Sequence, residues 1–230
     1  FCLTGEIPSY VDAVFETVSG FTTTGSSILS NVEALSHTSL FWRSFTHWVG
    51  GMGILVFVIA FIPIASGRSL HILRAEVPVV GKLVSKVRLT ARILYVIYAI
   101  MTVIEIILLL FGGMPLFDCI LNAFGTAGTG GFGIKNASIA AYDSAYIDGV
   151  ITVFMILFGI NFNLIYFFIL GRIKEVLKSE ELRWYLIIIV AAIALITINI
   201  LPLYDSILSA FRYSSFQVGS IITTTGFVTA

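Results

Sequence analysis

Charge is scarce in this sequence. Among its 230 residues 11% are Asp, Glu, Lys or Arg, 58% are hydrophobic, and the mean hydropathy is +1.01. A water-facing surface carries about 25–35% charged residues, so the shortfall excludes a cytosolic enzyme, a nucleic-acid reader with a basic stripe and a disordered tail. The 13 basic and 13 acidic residues balance, leaving no net field toward any partner. Cysteine is nearly absent. Cys2 and Cys119 form no CxxC pair, so neither a disulfide scaffold nor a cysteine metal site is indicated. His37, His47 and His71 are not at metal-ligand spacing and no His-Glu-x-x-His occurs, which argues against zinc chemistry. No secretory signal pattern opens the chain. It begins at Phe1 without a Met and stops just after a Thr-Thr-Thr-Gly segment, which suggests a piece of a longer protein. What remains is an all-α integral membrane protein.

Four stretches are apolar for long enough to cross a hydrocarbon layer of about 30 Å: 41–64, 93–113, 147–170 and 184–203. Arg68, Arg74, Lys82, Lys86, Arg88 and Arg92 lie between the first two. Arg172, Lys174, Lys178 and Arg183 lie between the last two. Basic loops stay cytoplasmic, which puts 1–40, 114–146 and 204–230 on the outer side. The outer segments are unusual for loops. Residues 9–21 predict a short apolar helix capped by Ser9 or Asp12, too short to span. A helix of ten or eleven residues covers about 15 Å, so the chain dips to the midplane and must return through Thr22-Thr23-Thr24-Gly25-Ser26. Irregular backbone at that depth is tolerated only where protein buries it or where it lines a wet cavity.

The unit recurs. Asp118 precedes Gly131 by the same interval as Asp12 precedes Gly25, and a short apolar helix runs into Gly128-Thr129-Gly130-Gly131-Phe132. A third copy ends in Thr223-Thr224-Thr225-Gly226-Phe227. The repeated unit reads as helix, pore helix, filter, helix, arranged around a central pore. On this division repeat one is 1–66, a cytoplasmic basic loop is 67–92, repeat two is 93–171, a second cytoplasmic loop is 172–183 and repeat three is 184–230. Copy one lacks its first spanning helix and copy three everything beyond its filter. A helix ending near the midplane directs about half a negative charge at the cavity, and an extended stretch beyond it can replace a cation's water shell with carbonyl oxygens. Glycine at the fourth position permits dihedrals closed to other residues and keeps the lumen free of a side chain.

The stretches FETVSGFTTTGSSIL (15–29), FWRSFTHWVGGMGILVFVIAFIP (41–63), NAFGTAGTGGFGIKNASI (122–139), GINFNLIYF (159–167), EELRWYL (180–186) and FQVGSIITTTGF (216–227) resemble the Trk/Ktr/HKT superfamily of potassium transporters, most closely its TrkH branch. The resemblance implies four pore-loop repeats around one axis, potassium transport through a filter of backbone carbonyls, a homodimer of the full-length subunit, a cytoplasmic nucleotide-binding regulatory ring and a multi-pass place in the cell (inner) membrane. No cofactor is implied in this chain beyond potassium as the transported ion, and no nucleic acid. By position it assigns the filter to Thr22, Thr23, Thr24 and Gly25, to Gly128, Thr129, Gly130 and Gly131, and to Thr223, Thr224, Thr225 and Gly226. Potassium would sit at Thr23, Thr24, Thr129, Gly130, Thr224 and Thr225. Gly130 departs from the pattern where the other copies have Thr24 and Thr225, so a threonine hydroxyl at that level cannot be four-fold. In relatives serine for the filter glycine goes with sodium permeation, and the three glycines here favour potassium. The fourth repeat and the gating loop that relatives carry in the third repeat lie outside this chain.

Other residues leave alternatives open. Glu105, in mid-span, calls for a partner such as Arg43 or His47, for protonation, or for a place in the ion path. Gly50, Gly51 and Gly53 fit close helix packing. Asn161 and Asn163 would bond neighbouring backbone or line a cavity. The loop from Arg68 to Arg92 suits either docking of the regulatory ring or anionic membrane lipid. A sodium- or proton-coupled secondary transporter of another solute is the alternative function, and it would require inverted halves where these repeats run in one orientation. An intramembrane hydrolase would need a nucleophile with a base. Ser26 and Ser27 have no Gly-x-Ser-Gly around them, and His47 belongs to no recognisable triad.

Overall fold

The computed structural model describes residues 1–53, 79–204 and 206–229, with side chains omitted for 79–91. The described chain is helical. In order it has α1 (Tyr10–Phe21), a helix α2 over 37–53, α3 (Val79–Phe111), α4 (Leu116–Ala127), α5 (Ala145–Phe158), α6 (Phe162–Ile169), α7 (Ile173–Lys178), α8 (Glu180–Ile200) and α9 (Ile207–Ile222).

The three short helices α1, α4 and α9 are the expected pore helices. Ser9 caps α1 by accepting from Asp12 N, which settles the choice between Ser9 and Asp12, and Ser206 caps α9 by accepting from Ser209 N. At 12, 12 and 16 residues they cover about 18–24 Å, well short of a bilayer core. Two segments are long and apolar enough to cross a membrane: Arg92–Phe111 within α3, and Glu180–Leu203, which is α8 with one closing 3-10 turn. On α8 the side chains of Val190, Leu195 and Ile198 are 65–70% exposed, an apolar surface suited to lipid.

Three expectations need correction. The stretch 147–170 is two helices, α5 and α6, bent through 98°. Gly159 ends α5, and Asn161 opens α6 by accepting from Asn163 N at 3.0 Å, while Tyr185 Oη donates to the Ile156 carbonyl left free near the break. A residue that caps a new helix cannot also continue the old one. The segment 67–92 is not loop throughout, because α3 begins at Val79 and runs unbroken into the span. The segment 172–183 likewise is mostly helix, since α7 is followed at once by α8, capped by Ser179. The remainder of span 41–64 beyond residue 53, and Arg68 and Arg74, lie outside the described residues.

Helices α3, α4 and α5 pack on one another, α8 packs on α9, and α5 also packs on α9, joining the second unit to the third. The core at that junction is Leu109, Cys119, Ile151, Met155, Phe216 and Phe227, each with 0% exposure. The first unit is joined through α2, whose buried face carries Arg43, Thr46 and His47.

Candidate ion site

Each pore helix ends on the first residue of a candidate filter segment. Thr22, Gly128 and Thr223 are the helix C-caps, all right-handed with φ of −83°, −75° and −90°. The second residue is left-handed in every copy: Thr23 (φ 54°), Thr129 (φ 50°) and Thr224 (φ 60°). The third has no positive φ. The fourth is left-handed again at Gly25 (74°), Gly131 (69°) and Gly226 (82°). An ordinary strand turns successive carbonyls to opposite sides. Left-handed residues at the second and fourth positions break that regular alternation, as a segment that turns its carbonyls to one side requires. The glycines adopt this at little cost. A β-branched threonine does so against an intrinsic penalty of about 1–2 kcal/mol, so the three central threonines are held there by their surroundings.

Backbone hydrogen bonds do that holding. Thr23 N donates to Gly20 O at 3.1 Å and Thr24 N to Ser19 O at 3.0 Å. In the second copy Thr129 N donates to Thr126 O and Gly130 N to Gly125 O. In the third, Thr224 N donates to Ile221 O and Gly226 N to Ser220 O. These bonds turn the second-position amide of every copy, and the third- or fourth-position amide beside it, back toward the pore helix, which satisfies them at membrane depth.

The copies also meet one another. The carbonyl oxygen of Gly130 occupies the place a Cβ on Gly25 would take, and the carbonyl oxygen of Thr225 does the same to Gly131. Segment one therefore abuts segment two, and segment two abuts segment three, in chain order. Around Gly226 no described atom lies within 4 Å of that position. The four residues of each copy are thus brought together, the twelve of them in one place.

Close helix packing sets the segments from behind. A Cβ on Gly50 would collide with the Phe21 carbonyl, and one on Gly51 would come within 2.7 Å of Gly128 Cα. Gly159, at the α5 bend, stands in the same relation to Thr223 Cγ2 at 2.9 Å. The packing role expected for Gly50 and Gly51 is seen; Gly53 touches no described atom within that range.

Several residues that matter here escaped sequence reasoning. Glu16 on α1 is buried and paired with Arg43 on α2 at 2.7 Å. It also accepts from Ser27 Oγ at 2.9 Å and Ile28 N at 3.1 Å, fixing the chain as it leaves segment one. Arg43 lies over the Phe132 ring at 4.1 Å, so the pair also touches the exit from segment two. Arg43 is therefore not the partner of Glu105. Nor is His47, whose ring faces Phe132. Glu105 is buried, with neither oxygen hydrogen-bonded among the described residues. Phe132 and Phe227, next after the fourth glycine, are buried anchors. The Gly-Phe pair recurring in copies two and three was the signal for them. Among the described residues no group of His, Cys, Asp and Glu is placed to hold a metal.

Comparison with known proteins identifies the family. The model of the TrkH family, described as cation transport protein, matches residues 3–230. The Trk system potassium uptake protein TrkH of Salmonella typhimurium is 36% identical over 224 residues, covering 95% of this chain and 46% of that protein. Its namesake in Escherichia coli is 35% identical over 227 residues, with the same two coverages. The crystal structure of the potassium transporter TrkH from Vibrio parahaemolyticus superposes with a TM-score of 0.82 at 32% identity, covering 96% of this chain and 46% of that one. The chain spans about half the length of the curated relatives it matches. With its spanning helices and its thrice-repeated pore helix, the chain belongs to the TrkH family of membrane cation transport proteins.

Proposed function

We propose that this chain supplies three of the four segments of a potassium-selective filter in a longer Trk-type pore-forming subunit. The observation that carries the reading is the shared backbone of the three segments, left-handed at the second and fourth positions of each, with the third-position carbonyl of one copy lying against the fourth-position glycine of the copy before it. Potassium would be held by carbonyl oxygens at Thr23, Thr24, Thr129, Gly130, Thr224 and Thr225. The choice of ion is supported by the printed names of the relatives and by glycine at the fourth position of all three copies. The division into repeats 1–66, 93–171 and 184–230 goes with it, as do the outer side for 1–40, 114–146 and 204–230 and a place in the cell (inner) membrane. A homodimer of the full-length subunit and a cytoplasmic nucleotide-binding ring are supported by the family resemblance, and the basic segment 68–92 suits that ring or anionic lipid.

A filter with one side missing exposes polar backbone to lipid and leaves its carbonyls facing no partner, so three segments alone should not hold an ion path. Purified residues 1–230 in a bilayer are expected to give no potassium-selective current, while the full-length parent in liposomes gives potassium flux that exceeds sodium flux. Selective current from the isolated chain would contradict the four-segment architecture. Parent protein that moves sodium as readily as potassium would overturn the proposed selectivity.

A further inference from the structure

We infer that His47 is a positioning residue for the second filter segment, replacing with one imidazole the hydroxyl ties that the first and third segments make for themselves. This rests on the filter reading above. In copy one Thr22 Oγ1 and Thr24 Oγ1 lie 2.8 Å apart, and in copy three Thr223 Oγ1 and Thr225 Oγ1 do the same. Ser19 Oγ donates to Ser26 O at 2.6 Å, clamping the chain beyond Gly25, and Ser220 Oγ donates to Phe227 O at 2.7 Å beyond Gly226. The repeat spacing puts Gly128 and Gly130 where those threonines stand, and Gly125 where the two serines stand. Copy two has none of the three hydroxyls.

The imidazole of His47 fills the space at Gly130, and the His47 backbone fills that at Gly128. A Cβ on Gly130 would meet its Nδ1, Cε1 and Cγ at 2.5, 2.6 and 2.7 Å, and a Cβ on Gly128 would meet the His47 carbonyl carbon at 2.7 Å. Phe132 N donates to His47 Nδ1 at 3.3 Å, and the Phe132 ring stacks on the imidazole with centroids 4.0 Å apart. His47 is 0% exposed. Since Nδ1 accepts, it carries no proton, and the ring acts as a fixed acceptor. The departure of copy two from the threonine pattern thus has a steric cause. Threonine at 130 has no room while a histidine from repeat one stands behind it.

The test is the rubidium-to-sodium flux ratio of the full-length parent in liposomes. His47→Phe keeps a ring against Phe132 and removes the acceptor. It is expected to fold and to lower the ratio about five- to tenfold, the shift that one net hydrogen bond imposes on a two-conformer equilibrium. Gly130→Thr is expected to lower the ratio by more. Adding His47→Ala to Gly130→Thr vacates the space and should recover at least about a third of the loss on a logarithmic scale, as coupled neighbours do. A residue that only supports folding would change yield and total flux and leave the ratio alone. If His47→Phe keeps the wild-type ratio while Gly131→Ser lowers it, the role given to His47 is wrong and the filter stands. If the added His47→Ala recovers nothing in folded protein, the steric coupling is wrong. Should Gly131→Ser also keep the wild-type ratio, the filter reading itself fails.

Discussion

Gly131→Ser in the full-length parent is expected to lower the potassium-to-sodium flux ratio at least about tenfold, the equivalent of about 1.4 kcal/mol of differential stabilisation. Two effects add. Gly131 is left-handed at φ 69°, a conformation that costs a side-chain-bearing residue about 1–2 kcal/mol. Its new Cβ would also fall on the carbonyl oxygen of Thr225, forcing segment three to move. Because that carbonyl belongs to a proposed potassium level, the displacement reaches the ion directly. Gly25→Ser should act in the same way on Gly130 O, whereas Gly226→Ser meets no described atom and carries the dihedral penalty alone. Gly149→Ser on α5, where a Cβ likewise meets no described atom, should leave the ratio at its wild-type value. An unchanged ratio for Gly131→Ser in well-folded protein would mean that the repeated glycine serves only to end a helix.

The largest loss of stability is expected from Glu16→Ala. The Glu16 side chain is 0% exposed and its Arg43 partner 2%, so removal leaves a guanidinium buried with, among the described residues, the Gly133 carbonyl, the Ser27 hydroxyl and the Phe132 face as its remaining partners. Breaking a buried pair from one side costs about 3–5 kcal/mol. That is a large share of the stability of an ordinary domain and should appear as a marked fall in thermal midpoint and in monodisperse yield. Glu16→Gln keeps acceptor capacity and loses the charge, and should fall between Ala and wild type. A thermal midpoint for Glu16→Ala within a degree of the parent would contradict the role assigned to this pair.

The repeat, the short pore helices and the fourth-position glycines were legible in the sequence because each leaves a local signature: an apolar run too short to span, a Ser or Asp at a helix start, a glycine at fixed spacing. The left-handed Thr23, Thr129 and Thr224 were not. Threonine disfavours that conformation, and it is imposed by hydrogen bonds back to the pore helix that no local pattern announces. The break at Gly159 was hidden inside an apolar run, since hydropathy is blind to a 98° turn, although Gly-Ile-Asn carried the cap that makes it. The pairings of Glu16, Arg43 and His47 were hidden for a different reason. Their partners lie 27 and 85 residues away in sequence, for Arg43 with Glu16 and for His47 with Phe132, and single-sequence reading cannot pair them. The expected pairing of Glu105 with Arg43 or His47 failed on the same ground: an apolar span shows that a charge needs company without showing which residue supplies it.

The central claim is that the three segments hold potassium by their carbonyls. Rubidium substituted for potassium in crystals of the full-length protein, located by its anomalous scattering, tests this most directly. The account predicts rubidium on the axis between the segments, coordinated by carbonyl oxygens at the levels of Thr23 and Thr24, Thr129 and Gly130, and Thr224 and Thr225. Rubidium bound elsewhere in the subunit, with none between these segments in protein that transports it, would contradict the account.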